Sequence, residues 1–170
     1  EDTAGNLIYM NSSDAHNYTI SSDNGGTIDT NITFTGGHNL QGGSGTDNFT
    51  FGGEYALGGT TGIHGGTGTG TITGPASAST VWVVDATTNN KGTVAPGAAS
   101  TTPYQSITHL VGQASEDALD YSAHSSAVTV NYATGSATNV NSGTGSSVSG
   151  IVKVIGGTAA NALTGAASTD

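Results

Sequence analysis

Arginine and cysteine are absent from these 170 residues, and lysine occurs only twice, at Lys91 and Lys153. Against twelve carboxylates this leaves a formal net charge of −10. Neutralising phosphates takes Lys and Arg, so nucleic acid is excluded as a partner. Anionic membrane surfaces are excluded on the same ground. Without cysteine there is neither a disulfide framework nor a thiolate metal site. No run approaches the ~20 apolar residues of a membrane helix, which argues against membrane insertion. The densest apolar stretches are Val81-Trp82-Val83-Val84 and the segment 151–155, which Lys153 interrupts. Charged residues make up 8% of the chain and hydrophobic ones 34%, both low for a compact globule. The chain starts at Glu1 with no leader segment in view, which fits a processed form or an excerpt of a longer chain.

What is abundant is Gly, Thr, Ser and Asn, interleaved with Val, Ile, Leu and Phe. That mixture suits short strands and tight turns rather than solvated coil. Alternation supports strands at Ile32-Thr33-Phe34, Phe49-Thr50-Phe51 and Val128-Thr129-Val130. No segment carries helical periodicity.

Four segments share one pattern: NLQGGSGTDNFTF (39–51), IHGGTGTGTITG (63–74), HLVGQASEDALDY (109–121) and KVIGGTAANALTG (153–165). In each, a Gly comes two positions after an apolar residue, and a second apolar residue comes seven positions after that Gly. Five positions after the Gly stands Asp47, Gly70, Asp117 or Asn161. The leading glycines, Gly42, Gly65, Gly112 and Gly156, are 23, 47 and 44 residues apart. Read as one, two and two units, this predicts a parallel β-solenoid (β-helix) with coils of about 22–24 residues. The four glycines would then line one edge. The reading makes 1–170 a single domain, with 1–35 as an N-terminal coil or cap and 36–170 as repeat coils. Pro96 and Pro103 mark a loop insertion near 92–103.

The segment GGSGTDNFT (42–50) resembles the glycine-rich nonapeptide of RTX proteins at every specified position. From about residue 36 onward the chain is similar to the repeats of large bacterial surface proteins, haemagglutinin-like filaments and adhesins. The resemblance implies a secreted, extracellular or cell-surface β-solenoid, in keeping with the missing cysteine. It also implies calcium as the cofactor, with Asp47 as ligand and the carbonyls of Gly43 and Gly45 assisting. Asp117 is the matching acid of a second copy. Calcium needs six to eight converging oxygens. The competing explanation is that Asp47 accepts hydrogen bonds from amides of its own turn. Departures from the family are Gly70 and Asn161 in place of Asp, and Gln113 and Ser115 in place of Gly.

Other residues carry weaker signals. Glu116, Asp117 and Asp120 form an acidic group, but residues three apart on a strand face opposite sides. A glycosidase would need a carboxylate pair, and sites that hold acidic sugars use cations this chain lacks; the sequence reads as no enzyme. His38, His64 and His109 lie near repeat turns and could stack on one corner; His16 and His124 complete the set from which a zinc site would be drawn. Trp82 lies in a Val-rich strand and is read as core. Asn11, Asn17, Asn31 and Asn48 head N-x-S/T sequons. The run GTGTGTITG (66–74) resembles the threonine repeats of ice-binding solenoids, but it occurs once, where a flat array over many coils is needed.

The resulting expectation is a self-associating structural subunit of a surface filament, sheath or layer, stacked end to end as a homopolymer. The alternative is an adhesin stalk or head that binds surface glycans.

Overall fold

The computed structural model describes residues 6–165 and is all-β, with eighteen strands and no α-helix among those residues. In chain order the strands are β1 (Leu7–Tyr9), β2 (His16–Ser22), β3 (Gly25–Ile28), β4 (Ile32–Thr35), β5 (Asn39–Gln41) and β6 (Thr46–Phe51). There follow β7 (Ile63–His64), β8 (Thr69–Thr73), β9 (Thr80–Val84), β10 (Lys91–Pro96), β11 (Thr102–Gln105) and β12 (His109–Val111). The last are β13 (Ala118–Asp120), β14 (Thr129–Asn131), β15 (Ser136–Ala137), β16 (Val148–Ser149), β17 (Lys153–Ile155) and β18 (Ala162–Thr164).

The strands form three sheets. The first runs β1-β5-β7-β11-β10-β9-β13-β17 and the second β16-β12-β8-β6-β2-β3-β4. The third, β15-β14-β18, has three strands. Most neighbours are parallel: the chain crosses from one sheet to the other through a turn and returns beside its earlier pass. Three antiparallel pieces interrupt this: the β2–β3–β4 meander at one end of the second sheet, the β9–β10–β11 meander inside the first, and the β14–β15 pair of the third.

Alternation buries one face of each strand, as its period of two requires. On the second sheet Tyr18, Phe49, Ile72, Leu110 and Val148 stand opposite one another from strand to strand, all buried. Tyr18 and Phe49 stack with ring centroids 4.5 Å apart. On the first sheet Ile8, Leu40, Ile63 and Tyr104 form one file. Val94, Trp82, Leu119 and Val154 form another. Trp82 is fully buried, as its Val-rich surroundings predict. The core is thus a set of files between sheets, which lets a chain poor in apolar residues bury its large ones.

Three expectations about spacing need correction. The offset between passes is 23 residues where Asn39 reaches Gly62, but 31 from His16 to Asp47, 37 from Thr80 to Asp117 and 33 from Val128 to Asn161. The interval 92–103 is not an inserted loop; it supplies β10 and β11 to the first sheet. Only two of the four leading glycines share an edge. Gly42 donates to the His64 carbonyl next to Gly65. Gly112 lies against Gly150 instead, donating to the Ser149 carbonyl, and Gly156 follows β17. The reason is the β9–β11 meander: its residues are spent widening the first sheet, so β12 stacks on β8 rather than β7. The repeated motif encodes a turn, and the turn serves both directions of crossing.

Candidate functional site

Two of the four repeat turns close on a buried carboxylate. Asp47, at the start of β6, is fully buried. One carboxylate oxygen accepts the Gly43 N–H at 2.9 Å, within its own turn; the other accepts the His16 N–H of the preceding pass at 3.2 Å. Asp117 repeats this where the chain crosses from the second sheet back to the first. It accepts from Gln113 at 2.6 Å and Ala114 at 2.8 Å in its own turn, and from Thr80 of an earlier pass at 2.6 Å. Asn161 does the same work with an amide, accepting from Val128 and donating to the Gly157 carbonyl. Asn39 accepts from Thr61 and Gly62. Each side chain closes a turn and ties it to another pass, satisfying amides that would otherwise be buried unpaired.

The electrostatics of Asp47 are divided. Burial raises its carboxyl pKa, while the Gly43 and His16 amides pull it down. The amides point positive hydrogen at the oxygens a cation would need. Of the assisting carbonyls, that of Gly43 accepts the Thr67 N–H, and that of Gly45 lies close against Gly68 of the pass beside it. Among the described residues no three His, Asp or Glu side chains come together as a metal-binding group. The arrangement is that of a structural clasp; sequence spacing marked Asp47, Asp117 and Asn161 but not Asn39.

The other candidates disperse. His64 accepts the Gly66 N–H on the first sheet, His109 faces Thr108 Oγ1 on the second, and His124 is buried with Nε2 3.1 Å from the Val84 carbonyl. No common corner brings His38, His64 and His109 together. His16 is buried with Nδ1 2.6 Å from Asp29. The Asn17 amide, and then His16, hold the Asp29 carboxyl below the usual range. Glu116 is exposed while Asp117 is buried, and Asp120 caps the Ser122 amide. Asn48 donates to Asn17 across strands at 3.0 Å, linking two of the four sequon asparagines.

Compared with protein-family models, curated proteins and solved structures, the chain matches none.

Two features escaped sequence reasoning. The first is where apolar side chains remain exposed. Among the described residues, the large exposed ones are Leu7, Tyr9, Ile32, Val152, Ile155 and Leu163. All lie on or beside strands that end a sheet. The second is a row of threonines on the outer face of the second sheet: Thr33, Thr27, Thr19, Thr50 and Thr73 stand opposite one another across five adjacent strands. Each belongs to an apolar-polar alternation visible in the sequence, but only register aligns them.

Proposed function

We propose that the chain winds as a parallel β-solenoid and acts as a structural subunit that stacks head to tail with copies of itself outside the cell. The observation that carries this reading is that apolar inner positions on two sheet-ending strands, β4 and β18, are left uncovered. Leu163 lies opposite Val130, yet Leu163 is 57% exposed and Val130 fully buried. Ile32 lies opposite Ile28, with 46% exposed against none. At these two positions the outermost strand lacks the next layer that covers its neighbour, while Phe34 and Val148, also on outermost strands, are covered.

Strand direction suits stacking. β1, β5, β7 and β11 are parallel, two antiparallel steps through β10 restore the direction at β9, and β13 and β17 keep it. An incoming β1 can therefore lie on β17 in the parallel sense that recurs through the sheet, bringing Ile8 over Val154. Open edges invite added strands. A head-to-tail contact between unlike ends generates a filament rather than a closed ring.

The test is concentration-dependent sizing joined to electron microscopy of the chain and of I32K and L163K. Linear oligomers that shorten in either variant, with the melting temperature held, support the reading. A chain that stays monomeric up to its solubility limit refutes it.

A further inference from the structure

Sheet geometry fixes where the threonines of the second sheet stand. Neighbouring strands are ~4.8 Å apart and alternate residues along one strand ~6.8 Å apart. The row Thr33-Thr27-Thr19-Thr50-Thr73 runs across the strands. A second row, one alternate position away, holds Asn17, Asn48, Thr71 and His109, and a third pairs Thr46 with Thr69. Together they form a grid of hydroxyls, methyls and amides at two fixed spacings.

Three properties of this face restrict what it can bind. It carries no carboxylate and no amine: in the seven strands of the sheet the one carboxylate is Asp47, which is turned inward, and there is no lysine. In a chain of net charge −10, a charge-free sheet face fits a neutral partner. Its Tyr and Phe side chains, Tyr18, Phe34, Phe49 and Phe51, are all buried on the other face, which leaves the half-buried His109 imidazole at the end of the second row as the ring on this face. Its side chains are also held in place. Threonine is restricted at χ1 by its branching, Thr19, Thr27, Thr50 and Thr73 are half-buried by their neighbours, and Asn48 is tied to Asn17.

We infer that this face binds crystalline water: ice is the partner whose lattice a rigid, neutral grid of hydroxyl and methyl groups can match. Oxygen atoms on the prism face of hexagonal ice repeat with a short and a long spacing at right angles, close to the two spacings of the sheet. Hydroxyls and amides anchor the first water layer, while methyls between them favour cage-like ordering. Because the rotamers are fixed beforehand, little ordering cost remains on contact. The inference stands apart from head-to-tail stacking, since it uses the side of the molecule and not its ends.

The experiment measures thermal hysteresis and inhibition of ice recrystallisation by the whole chain. It compares T50K and T73K, placed within the row, with Q105K on the outer face of the first sheet. Melting temperatures confirm that each variant folds. The expected result is ice activity in the natural chain and in Q105K, reduced by about an order of magnitude in T50K and T73K. The inference is overturned if the natural chain matches an inert protein at equal concentration, or if the two threonine variants retain its activity. It is equally overturned if T50K instead disperses side-by-side pairs that never affected ice, because the face then meets a second copy. I32K and L163K are expected to keep the ice activity, which separates failure of this inference from failure of end-to-end stacking.

Discussion

Asp47 and Asp117 do the same work in turns that cross the molecule in opposite directions: each carboxylate closes its own turn and reaches back to an amide of an earlier pass, His16 for one and Thr80 for the other. Clasps of this kind link neighbouring passes through a side chain in addition to the strand ladders.

Removing a clasp leaves buried amides unpaired, which costs about 1–3 kcal/mol per group. Asp47→Ala strands two N–H groups and Asp117→Ala three. Both are expected to lower stability by several kcal/mol, Asp117→Ala more. Asp47→Asn is expected to lose less, because its carbonyl oxygen still accepts and burial already disfavours the charge at this site. Urea unfolding of the three variants provides the ranking. Equal losses in Asp47→Ala and Asp47→Asn would show that the carboxylate's charge, not its accepting capacity, is what matters.

Calcium would have to displace those amides. Excess chelator is therefore expected to leave the melting temperature unchanged, and added calcium is expected to raise it little. A drop of several degrees on chelation would establish a cation at these turns and restore the role that the resemblance to the RTX nonapeptide implies for Asp47.

Acid should act through Asp29 and Asp85. The Asn17 amide, and then His16, lower the pKa of Asp29; the Thr87 amide, followed by further bonds to Thr87 and Thr88 and by Lys91, outweighs burial to lower that of Asp85. A carboxylate with a depressed folded-state pKa contributes stability in full above its unfolded value, about 3.9, and loses it as pH falls through the folded value. Asp47 has the opposite sign: its raised pKa makes ionisation unfavourable to the fold as pH climbs past the ordinary carboxylate range. Melting curves from about pH 2 to pH 6 are expected to show D29N flattening the acid-side decline and D47N removing part of the opposing slope. An unchanged profile in D29N would mean that Asp29 contributes nothing through its charge.

The turns were legible because their chemistry is local. A Gly two residues past an apolar one, with Asp or Asn five further on, suffices to specify strand, turn and strand. Phe49-Thr50-Phe51 and Ile32-Thr33-Phe34 likewise declared their strands. The pairing was not legible, because alternation says which face a residue takes and not which strand lies beside it. Nothing local marks β3 and β4, or β10 and β11, as antiparallel additions, and those additions changed the spacing between passes. Pro96 and Pro103 pointed to a loop where the chain places them in short strands, at a strand end and beside a strand start. The threonine row and the uncovered ends depend on register, so they stayed hidden for the same reason.

Glycine substitutions test whether passes lie as close as the structure has them. Gly66 has φ of +79°, and a Cβ there would collide with the Gly43 carbonyl oxygen of the pass beside it. Gly66→Ala must therefore both adopt a backbone conformation unfavourable to L-residues by ~1–2 kcal/mol and push two passes apart, disturbing the hydrogen bond from Thr67 to Gly43. Gly52 has no positive φ, and its nearest neighbour would be 3.4 Å from an added Cβ. Gly52→Ala is expected to change stability by no more than ~0.5 kcal/mol, against a loss of at least ~2 kcal/mol for Gly66→Ala, where strain and overpacking add. Denaturant unfolding of the two variants side by side decides it. If they match, the 42–45 and 65–68 turns are not in contact, and the parallel passage of β5–β6 beside β7–β8 loses its support.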